Sequence, residues 1–330
     1  MLHIPFQTET AQFVSAPNED VFRGGRDQFS LLPTAFDGIK QIGIIGWGSQ
    51  GPAQAQNLRD SLKSIGSNIR VVVGLREGSK SISDAKAAGF SSEDGTLGEM
   101  YKVIHDSDLN IILISDAAQV ENYPEIFKAA RPGTALGFSH GFLEGFLTAN
   151  EGACFPKNVD IIMVAPKGMG PSVRRLYLQG METGGSGINS SMAVHQNSSG
   201  NAQRIAAGWS VGIGSPVTFM TTMPMEWRSD IFGERAILLG GLWGLVEALY
   251  DRFRHFGSDG RTAFTQSVLA LTSFVSPEIS RHGMIGFHKE HIAGKFDQAF
   301  DQGYSMAYGP FASKVLKCGR SGKPFGRPIG

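Results

Sequence analysis

Three glycines near the start of the chain are spaced two and then three residues apart. Gly46-Trp47-Gly48-Ser49-Gln50-Gly51 fits the pattern GxGxxG, between an apolar strand at residues 41–45 and a helical segment at residues 50–64. The first glycine allows a tight turn, the second lets the backbone approach a pyrophosphate, and the third packs the helix on the strand. A helix N-terminus at this point also favours a phosphate. We predict a dinucleotide-binding loop, with a glycine-rich turn that binds nothing as the alternative. The predicted contacts are Gly46, Gly48, Ser49, Gln50 and Gly51.

The loop after the second predicted strand, Arg70–Leu75, distinguishes between two dinucleotides. An NAD enzyme would place an acid here for the ribose hydroxyls. Arg76 instead follows the strand directly, with hydroxyl side chains behind it, and this combination suits a 2′-phosphate. Glu77 is the exception, because its carboxylate could accept a hydrogen bond from a ribose hydroxyl, as in an NAD enzyme. The other alternative is a solvated loop that binds no ligand. We predict NADPH as the cofactor. The predicted contacts outside the glycine loop are Arg76, Ser79, Ser81 and Ser115.

Two further polar segments follow later strands. Ser139-His140-Gly141-Phe142 comes after a predicted strand at residues 133–137, and Lys167 comes after one at residues 160–164. In an open α/β sheet, ligands bind beyond the carboxyl ends of the strands. A lone histidine is more often structural, however, and a lone lysine is more often solvated. The spacing alone leaves the catalytic and the structural interpretations of both residues open.

Three carboxylates are spaced four residues apart ahead of an apolar segment. Glu226, Asp230 and Glu234 would share one face of a helix, where like charges repel. Residues 231–253 are apolar on nearly every face, which predicts a buried helix. Unpaired carboxylates would be costly there, and a divalent cation would relieve the cost. Oxygen-only ligands indicate Mg²⁺ rather than Zn²⁺, with Asp230 and Glu234 as the predicted metal ligands. Pairing with nearby arginines is the alternative, and the spacing alone slightly favours it.

The elements that must position these residues alternate between strands and helices. Strands are predicted at residues 41–45, 70–75, 110–114, 133–137, 160–164 and 193–194, and helices at 50–64, 83–88 and 119–129. The alternation predicts an α/β fold with a Rossmann-like, doubly wound parallel sheet at residues 37–222. Residues 1–36 are predicted as a polar arm. Residues 223–330 are predicted as a partial all-α domain, with a helix at 262–279 and a disordered tail from residue 319.

The composition excludes several classes of protein. Lys and Arg together number 30 of the 330 residues, as do Asp and Glu, so a nucleic-acid or membrane-surface partner is not expected. The longest apolar stretch, residues 237–250, is shorter than the ~20 residues that span a bilayer. The two cysteines indicate neither a disulfide framework nor a metal site. The first 19 residues predict neither a signal peptide nor a transit peptide.

Four stretches resemble the plant ketol-acid reductoisomerases. They are residues 21–27 (VFRGGRD), 38–60 (GIKQIGIIGWGSQGPAQAQNLRD), 166–177 (PKGMGPSVRRLY) and 229–239 (SDIFGERAILL), and the likeness runs from about residue 20 to about residue 310. The resemblance implies a Mg²⁺- and NADPH-dependent enzyme of valine and isoleucine biosynthesis. Such an enzyme converts 2-acetolactate or 2-aceto-2-hydroxybutyrate into a 2,3-dihydroxy acid by alkyl migration and reduction.

The resemblance also assigns roles to residues. It implies that Arg76, Ser79 and Ser81 hold the 2′-phosphate and that His140 and Lys167 lie near the reacting centre. It further implies that Asp230 and Glu234 bind the metal, with Asp230 bridging two Mg²⁺ ions. The plastid stroma is the expected location in a eukaryote, and the cytoplasm in a bacterium.

The chain departs from the family at the other half of the metal site. The family adds two glutamates on a later helix and a serine that contacts substrate. In the long plant-like type these residues come from a second copy of the helical domain, and this chain stops about where the first copy ends. At the position where short members carry the first glutamate this chain has Leu269, and four residues on it has Ser273.

These features leave several expectations open. The chain is expected to be a fragment of a longer enzyme, or a short form that binds NADPH without assembling both Mg²⁺ sites. Exposed apolar surface on the helical domain should then cause poor solubility or association. Short members of the family build their site across a dimer, so a homodimer is open as well. The remaining alternatives are another NADP-dependent hydroxy-acid dehydrogenase, which would need no Mg²⁺, and a nucleotide-binding remnant.

Overall fold

The computed structural model describes residues 4–11, 18–150, 152–183, 187–231, 233 and 239–321; the side chains of residues 280, 284 and 311–321 lie outside the description. The chain divides into two compact units, Met1–Trp227 and Arg228–Gly330, whereas the sequence placed the boundary between residues 222 and 223. None of the helices within the described ranges is both long and apolar enough to cross a membrane.

The first unit contains a ten-stranded sheet in the order β1-β2-β10-β9-β8-β7-β6-β3-β4-β5. Its strands are β1 (Thr8–Ala11), β2 (Glu19–Arg23), β3 (Gln41–Ile45), β4 (Arg70–Leu75), β5 (Leu97–Glu99), β6 (Leu109–Ile112), β7 (Ala135–Phe138), β8 (Asp160–Pro166), β9 (Ser190–Gln196) and β10 (Val217–Met220). From β5 to β8 every neighbouring pair is parallel. The chain builds outward from β3 to β5 and then crosses back to β6, so a topological switch point lies between β3 and β6.

Helices connect these strands. They are α1 (Leu32–Ala35), α2 (Gly51–Ser64), α3 (Ile82–Ala87), α4 (Met100–Asp106), α5 (Asp116–Ala129), α6 (Phe142–Ala149), α7 (Gly170–Thr183), α8 (Ala202–Gly212) and α9 (Met223–Asp230), with a 3₁₀ helix at Arg26–Leu31. The doubly wound α/β class predicted from the sequence is confirmed by this arrangement and by a solved structure of similar fold described below.

The central strands β3, β4, β6, β7 and β8 are mostly apolar because both faces of the sheet are covered there. Along β3, Ile44 belongs to one core cluster and Ile45 to the other, and along β4, Val73 and Val72 divide in the same way. Side chains alternate between the faces of a strand, so each cluster corresponds to one face. The first cluster contains residues of α2 and α8, and the second contains residues of α4, α5 and α6.

Two features of the sheet differ from the prediction. The strand predicted at residues 193–194 is longer, Ser190–Gln196, and it runs antiparallel to β8 rather than parallel. The predicted polar arm contributes β1 and β2, which are antiparallel to each other, and β2 also pairs with β10. The reason is burial, because Phe22 on β2 has no exposed surface and stacks on Phe6. Burial of such a side chain contributes roughly 1.5–3 kcal/mol.

The second unit is helical in its described residues. Its helices are α10 (Leu242–His255), α11 (Gly260–Phe264), α12 (Ser276–His291) and α13 (Asp297–Ser321), with π-helical turns at Thr265–Leu269 and Leu271–Val275. The prediction of a buried helix at residues 231–253 is wrong for α10, which has no buried residue. The start of the predicted disordered tail, residues 319–321, belongs to α13, and residues 322–330 lie outside the described residues.

Candidate active site

The glycine loop lies at the switch point of the sheet, between the end of β3 and the start of α2. Gly46 has φ +106°, which only glycine adopts without strain, and its N–H donates to the carbonyl of Gly74 at 3.1 Å. A Cβ on Gly51 would lie 2.3 Å from the carbonyl oxygen of Gly46, so the third glycine is required for packing the helix on the loop. Pro52 in the first turn of α2 then fixes the start of the helix.

The second glycine has a different environment. A Cβ on Gly48 would come no closer than 3.9 Å to any neighbouring atom, the carbonyl oxygen of Leu113. The protein's own packing therefore does not require glycine here. The space in front of Gly48 belongs to a groove of about 190 Å³ between the ends of β3, β4 and β6. The groove is lined by Gly46, Trp47, Gly48, Gly74, Leu75, Arg76, Ser79, Ser81, Met100, Leu113, Ile114, Ser115, Ala118 and Asn122.

Six of the nine predicted cofactor contacts line this groove: Gly46, Gly48, Arg76, Ser79, Ser81 and Ser115. Glu77, the residue that argued for NAD, does not. The other three predicted contacts have roles within the protein. Gly51 packs against Gly46, the side chain of Gln50 donates to the carbonyl of Gly168 at 3.0 Å, and Ser49 Oγ accepts from the N–H of Gly170 at 3.4 Å.

A buried glutamine beside the groove was not anticipated from the sequence. Gln119 on α5 is 4% exposed, and its Nε2 donates to the carbonyl of Ile114, which lines the groove. Its Oε1 has no hydrogen-bond partner among the described residues. A buried acceptor without a donor is costly. The open space in front of Gly48 fits a bound dinucleotide.

His140 and Lys167 come together on a buried carboxylate. His140 follows β7, Lys167 follows β8, and both contact Glu226 on α9. Glu226 Oε2 lies 3.0 Å from His140 Nδ1 and accepts the N–H of Gly141 at 2.8 Å, while Glu226 Oε1 lies 3.7 Å from Lys167 Nζ. The side chain of Glu226 is 4% exposed, against 19% for His140 and 40% for Lys167. The cluster thus presents a histidine and a cation above a carboxylate that solvent scarcely reaches.

The charge state of Glu226 follows from these contacts. Burial alone would raise the pKa of its carboxyl. The hydrogen bond and charge of His140, the N–H of Gly141 and the charge of Lys167 outweigh burial and hold the pKa below its ordinary value. Glu226 is therefore an anion at neutral pH. As an acceptor, it orients His140 so that Nδ1 carries a proton.

The segment that carries Glu226 is anchored to the first unit on both sides. Met223 is buried, and Trp227 Nε1 donates to Glu144 Oε2 on α6 at 3.2 Å. The sequence placed Glu226 in the row of acids but gave it no role. Its spacing of four residues before Asp230 was the available signal, whereas its partners His140 and Lys167 are distant in the chain.

The predicted metal ligands are described only in part. Asp230 ends α9, four residues after Glu226, and is partly buried. Glu234 lies outside the described residues, so the magnesium site stays a prediction. A carboxylate at a partly buried helix end is a hard oxygen donor, and its chemistry is compatible with Mg²⁺.

Fold and site together define a dinucleotide-binding protein with a doubly wound sheet, followed in the chain by a helical unit. Two family models agree with this class. The model of the acetohydroxy acid isomeroreductase NADPH-binding domain matches residues 38–218, and that of the ketol-acid reductoisomerase C-terminal domain matches residues 223–308. The chain belongs to the ketol-acid reductoisomerase family.

Relatives of known name include two plant proteins called chloroplastic ketol-acid reductoisomerase. The chain is 50% identical to the one from Spinacia oleracea over 305 residues, which cover 92% of this chain and 51% of that protein. It is 52% identical to the one from Pisum sativum over 300 residues, with 91% and 51% covered. The chain spans about half the length of these relatives. Among solved structures, an NADH-preferring ketol-acid reductoisomerase from an uncultured archaeon matches with a TM-score of 0.72 and 27% identity, over 90% of this chain and 85% of that one.

Proposed function

We propose that this chain provides the NADPH-binding part and the first metal ligands of a ketol-acid reductoisomerase. The proposed reaction is the Mg²⁺-dependent isomerisation and reduction of 2-acetolactate, or of 2-aceto-2-hydroxybutyrate, in the synthesis of valine and isoleucine. The observation that carries the proposal is the cluster of His140, Lys167 and Glu226 at the carboxyl ends of β7 and β8. It lies on the edge of the sheet that also holds the dinucleotide groove, where α/β enzymes bind their substrates.

NADPH rather than NADH is the proposed cofactor. The family includes proteins named for NADH or NAD⁺, among them the archaeal structure and a Desulfosudis oleivorans relative 39% identical over 244 residues, so membership alone does not decide. The loop after β4 supports NADPH, because Arg76, Ser79 and Ser81 line the groove and Glu77 does not. A guanidinium beside hydroxyl groups binds a phosphate dianion well.

The proposed chemistry assigns separate tasks to the bound groups and to the chain. NADPH, when bound, supplies the hydride. Magnesium, held by Asp230 and Glu234, would polarise the substrate oxygens. Glu226 fixes Nδ1 of His140 in the protonated form, so Nε2 is the nitrogen that takes up or releases a proton. The ammonium of Lys167, partly exposed beside it, would attract the carboxylate of an acetohydroxy acid.

The direct test is NADPH oxidation by the full chain with 2-acetolactate, measured with Mg²⁺, with EDTA, and with Mg²⁺ restored. The proposal expects oxidation that EDTA abolishes and Mg²⁺ restores. Oxidation that EDTA leaves unchanged would instead identify a hydroxy-acid dehydrogenase without a metal. Lys167→Ala and His140→Asn should each reduce turnover while leaving NADPH affinity within about threefold of the native chain, since neither lines the groove.

A second candidate is a form that binds NADPH without turnover. Leu269 and Ser273, at the positions where short members of the family have glutamates by resemblance, favour it, because neither side chain is a carboxylate. This candidate predicts NADPH binding with no oxidation at any Mg²⁺ concentration. Adding the part of a plant relative that this chain does not match, as a separate polypeptide, distinguishes the two further. Recovery of activity on mixing would show that this chain's half of the site is competent.

A location and partners complete the proposal. Both plant relatives are named chloroplastic, which supports the plastid stroma as the proposed location. A small acetohydroxy acid is the proposed substrate, and a second copy of the chain is the proposed protein partner.

A further inference from the structure

A fully buried glutamine lies beneath the proposed active site. Gln54, in the first turn of α2, has no exposed surface, and its Oε1 accepts from Trp209 Nε1 at 2.9 Å. Indole N–H is a donor only, so the oxygen of the amide must face Trp209 and the NH₂ group must point the other way. Trp209 is itself fully buried, and the orientation of Gln54 is therefore fixed by the core.

The two amide protons of Gln54 connect it to two different loops, one directly and the other through Gln50. One is donated to Ser139 Oγ at 2.8 Å, and Ser139 in turn donates to the carbonyl of Val164 at 2.9 Å. The other is donated to Gln50 Oε1 at 3.2 Å, and Gln50 Nε2 donates to the carbonyl of Gly168 at 3.0 Å. Both side-chain donors of Gln54 are thereby used.

These loops are the ones that carry the proposed catalytic side chains. Ser139 directly precedes His140, and Gly168 directly follows Lys167. The glycine loop and the lysine loop also touch through their backbones, since a Cβ on Gly170 would lie 1.6 Å from the carbonyl oxygen of Ser49. One side chain at the start of the cofactor-binding helix is therefore bonded, directly or through one intermediate, to both turns.

We propose that Gln54 is a positioning residue that couples the dinucleotide loop to the His140 and Lys167 turns, so that cofactor binding orders both. The inference rests on the proposed function for the identity of the cofactor. A phosphate bound at the N-terminus of α2 reduces the motion of the first turn of that helix. Because Gln54 lies in this turn, its hydrogen bonds then reduce the motion of the His140 and Lys167 turns. Each lost buried hydrogen bond should raise local opening by about tenfold.

The test is hydrogen–deuterium exchange on the full chain, with and without NADPH, in peptides that cover residues 137–143 and 165–170. NADPH binding is followed in the same samples by its fluorescence. In the native chain NADPH should slow exchange in both peptides. In Gln54→Met and Gln54→Leu, which keep the approximate size but remove the donors, NADPH should still bind while both peptides exchange about tenfold faster and lose the slowing.

Two further variants separate coupling from general loosening. Asn57→Leu is the matched control, because Asn57 is another fully buried amide on α2. It is bonded to the carbonyls of Ile213 and Val173 and to Arg174, and to neither of the two turns. The Asn57→Leu variant should leave the NADPH effect on both peptides intact. Ser139→Ala removes only the hydrogen bond from Gln54 to the His140 turn. NADPH should then no longer slow exchange in the peptide at residues 137–143, while it should still slow exchange in the peptide at residues 165–170.

The outcomes distinguish this inference from the proposed function. Unchanged exchange in both Gln54 variants, or an equal loss in Asn57→Leu, would overturn the coupling. Should the native chain bind no NADPH, the proposed function fails, yet the Gln54 variants must still show faster exchange at both turns without ligand. Native rates there would then overturn the role of Gln54 as well.

Discussion

The carboxylate of Glu226 illustrates how a single residue can be costly to bury and still be essential to a site. It is almost inaccessible to solvent, yet it accepts hydrogen bonds from His140 and from the backbone of Gly141, and Lys167 lies beside it. A buried carboxylate without such partners would protonate. With them it stays ionised and holds two catalytic candidates in a fixed relation.

The depressed pKa of Glu226 gives a prediction for stability against pH. Because the pKa is lower in the folded chain than its ordinary value of 4.5, the unfolded chain binds more protons in this range. The stabilisation is therefore complete above about pH 4.5 and is lost as the pH falls through the folded value. Urea unfolding between about pH 3 and pH 6 should show this loss.

Glu226→Gln should lower the free energy of unfolding by about 1–3 kcal/mol at neutral pH. It should also reduce the slope of the free energy of unfolding against pH below pH 4.5. Glu77→Gln, on the exposed loop after β4, is the control, and an equal change of slope there would contradict the prediction.

Arg76 carries the prediction for cofactor choice. Arg76→Ala should raise the Kd for NADPH by about 10- to 100-fold, since a hydrogen bond to a charged group is worth about 1.5–3 kcal/mol. The Kd for NADH, which lacks the 2′-phosphate, should change little. Fluorescence titration with both nucleotides measures the difference. Equal loss of affinity for the two would show that Arg76 serves the loop rather than the phosphate.

At the scale of elements, the glycines of the loop between β3 and α2 have separable tasks. Gly51→Ala should destabilise the fold by about 1–3 kcal/mol, because its Cβ would lie 2.3 Å from the carbonyl oxygen of Gly46.

Gly48→Ala has room within the protein, so its free energy of unfolding should stay within about 0.5 kcal/mol of the native value. Because Gly48 lines the groove, the added methyl group should hinder the approach of a phosphate, and NADPH affinity should fall at least about tenfold. Thermal unfolding and fluorescence titration measure the two effects. Native affinity in Gly48→Ala would exclude this loop as the phosphate site.

The elements also show how far local sequence determines the fold. The sequence predicted β3 and β4 with the observed ends, because short apolar runs there are bounded by a glycine loop and by charged residues. It did not predict the direction of β9, which depends on the path of α7 between β8 and β9 rather than on the residues of the strand. It also missed β2, whose buried Phe22 lies in an otherwise polar segment. The partners of Glu226 were missed for the same reason, since contacts between distant segments leave no local periodicity.

For the whole molecule, the two units differ in how much of their apolar side chains is exposed to solvent. The first unit buries them in two clusters on the two faces of its sheet. In the second unit α10 exposes Leu242, Leu245 and Leu249, which are three and four residues apart and so share one face of the helix. Trp243 beside them is 73% exposed. Apolar surface of this kind usually marks an interface with another protein surface.

The chain should therefore associate in solution through its second unit. Sedimentation velocity at increasing protein concentration should show a concentration-dependent rise in mass, because burial of these leucines is worth roughly 1.5–3 kcal/mol each. The triple variant Leu242→Gln, Leu245→Gln and Leu249→Gln should shift the association to at least about tenfold higher concentration. The control is Leu178→Gln with Met181→Gln, which removes exposed apolar side chains from α7 in the first unit and should leave the association unchanged. A native chain that stays monomeric at every concentration would contradict the prediction and show that this face is stable in water.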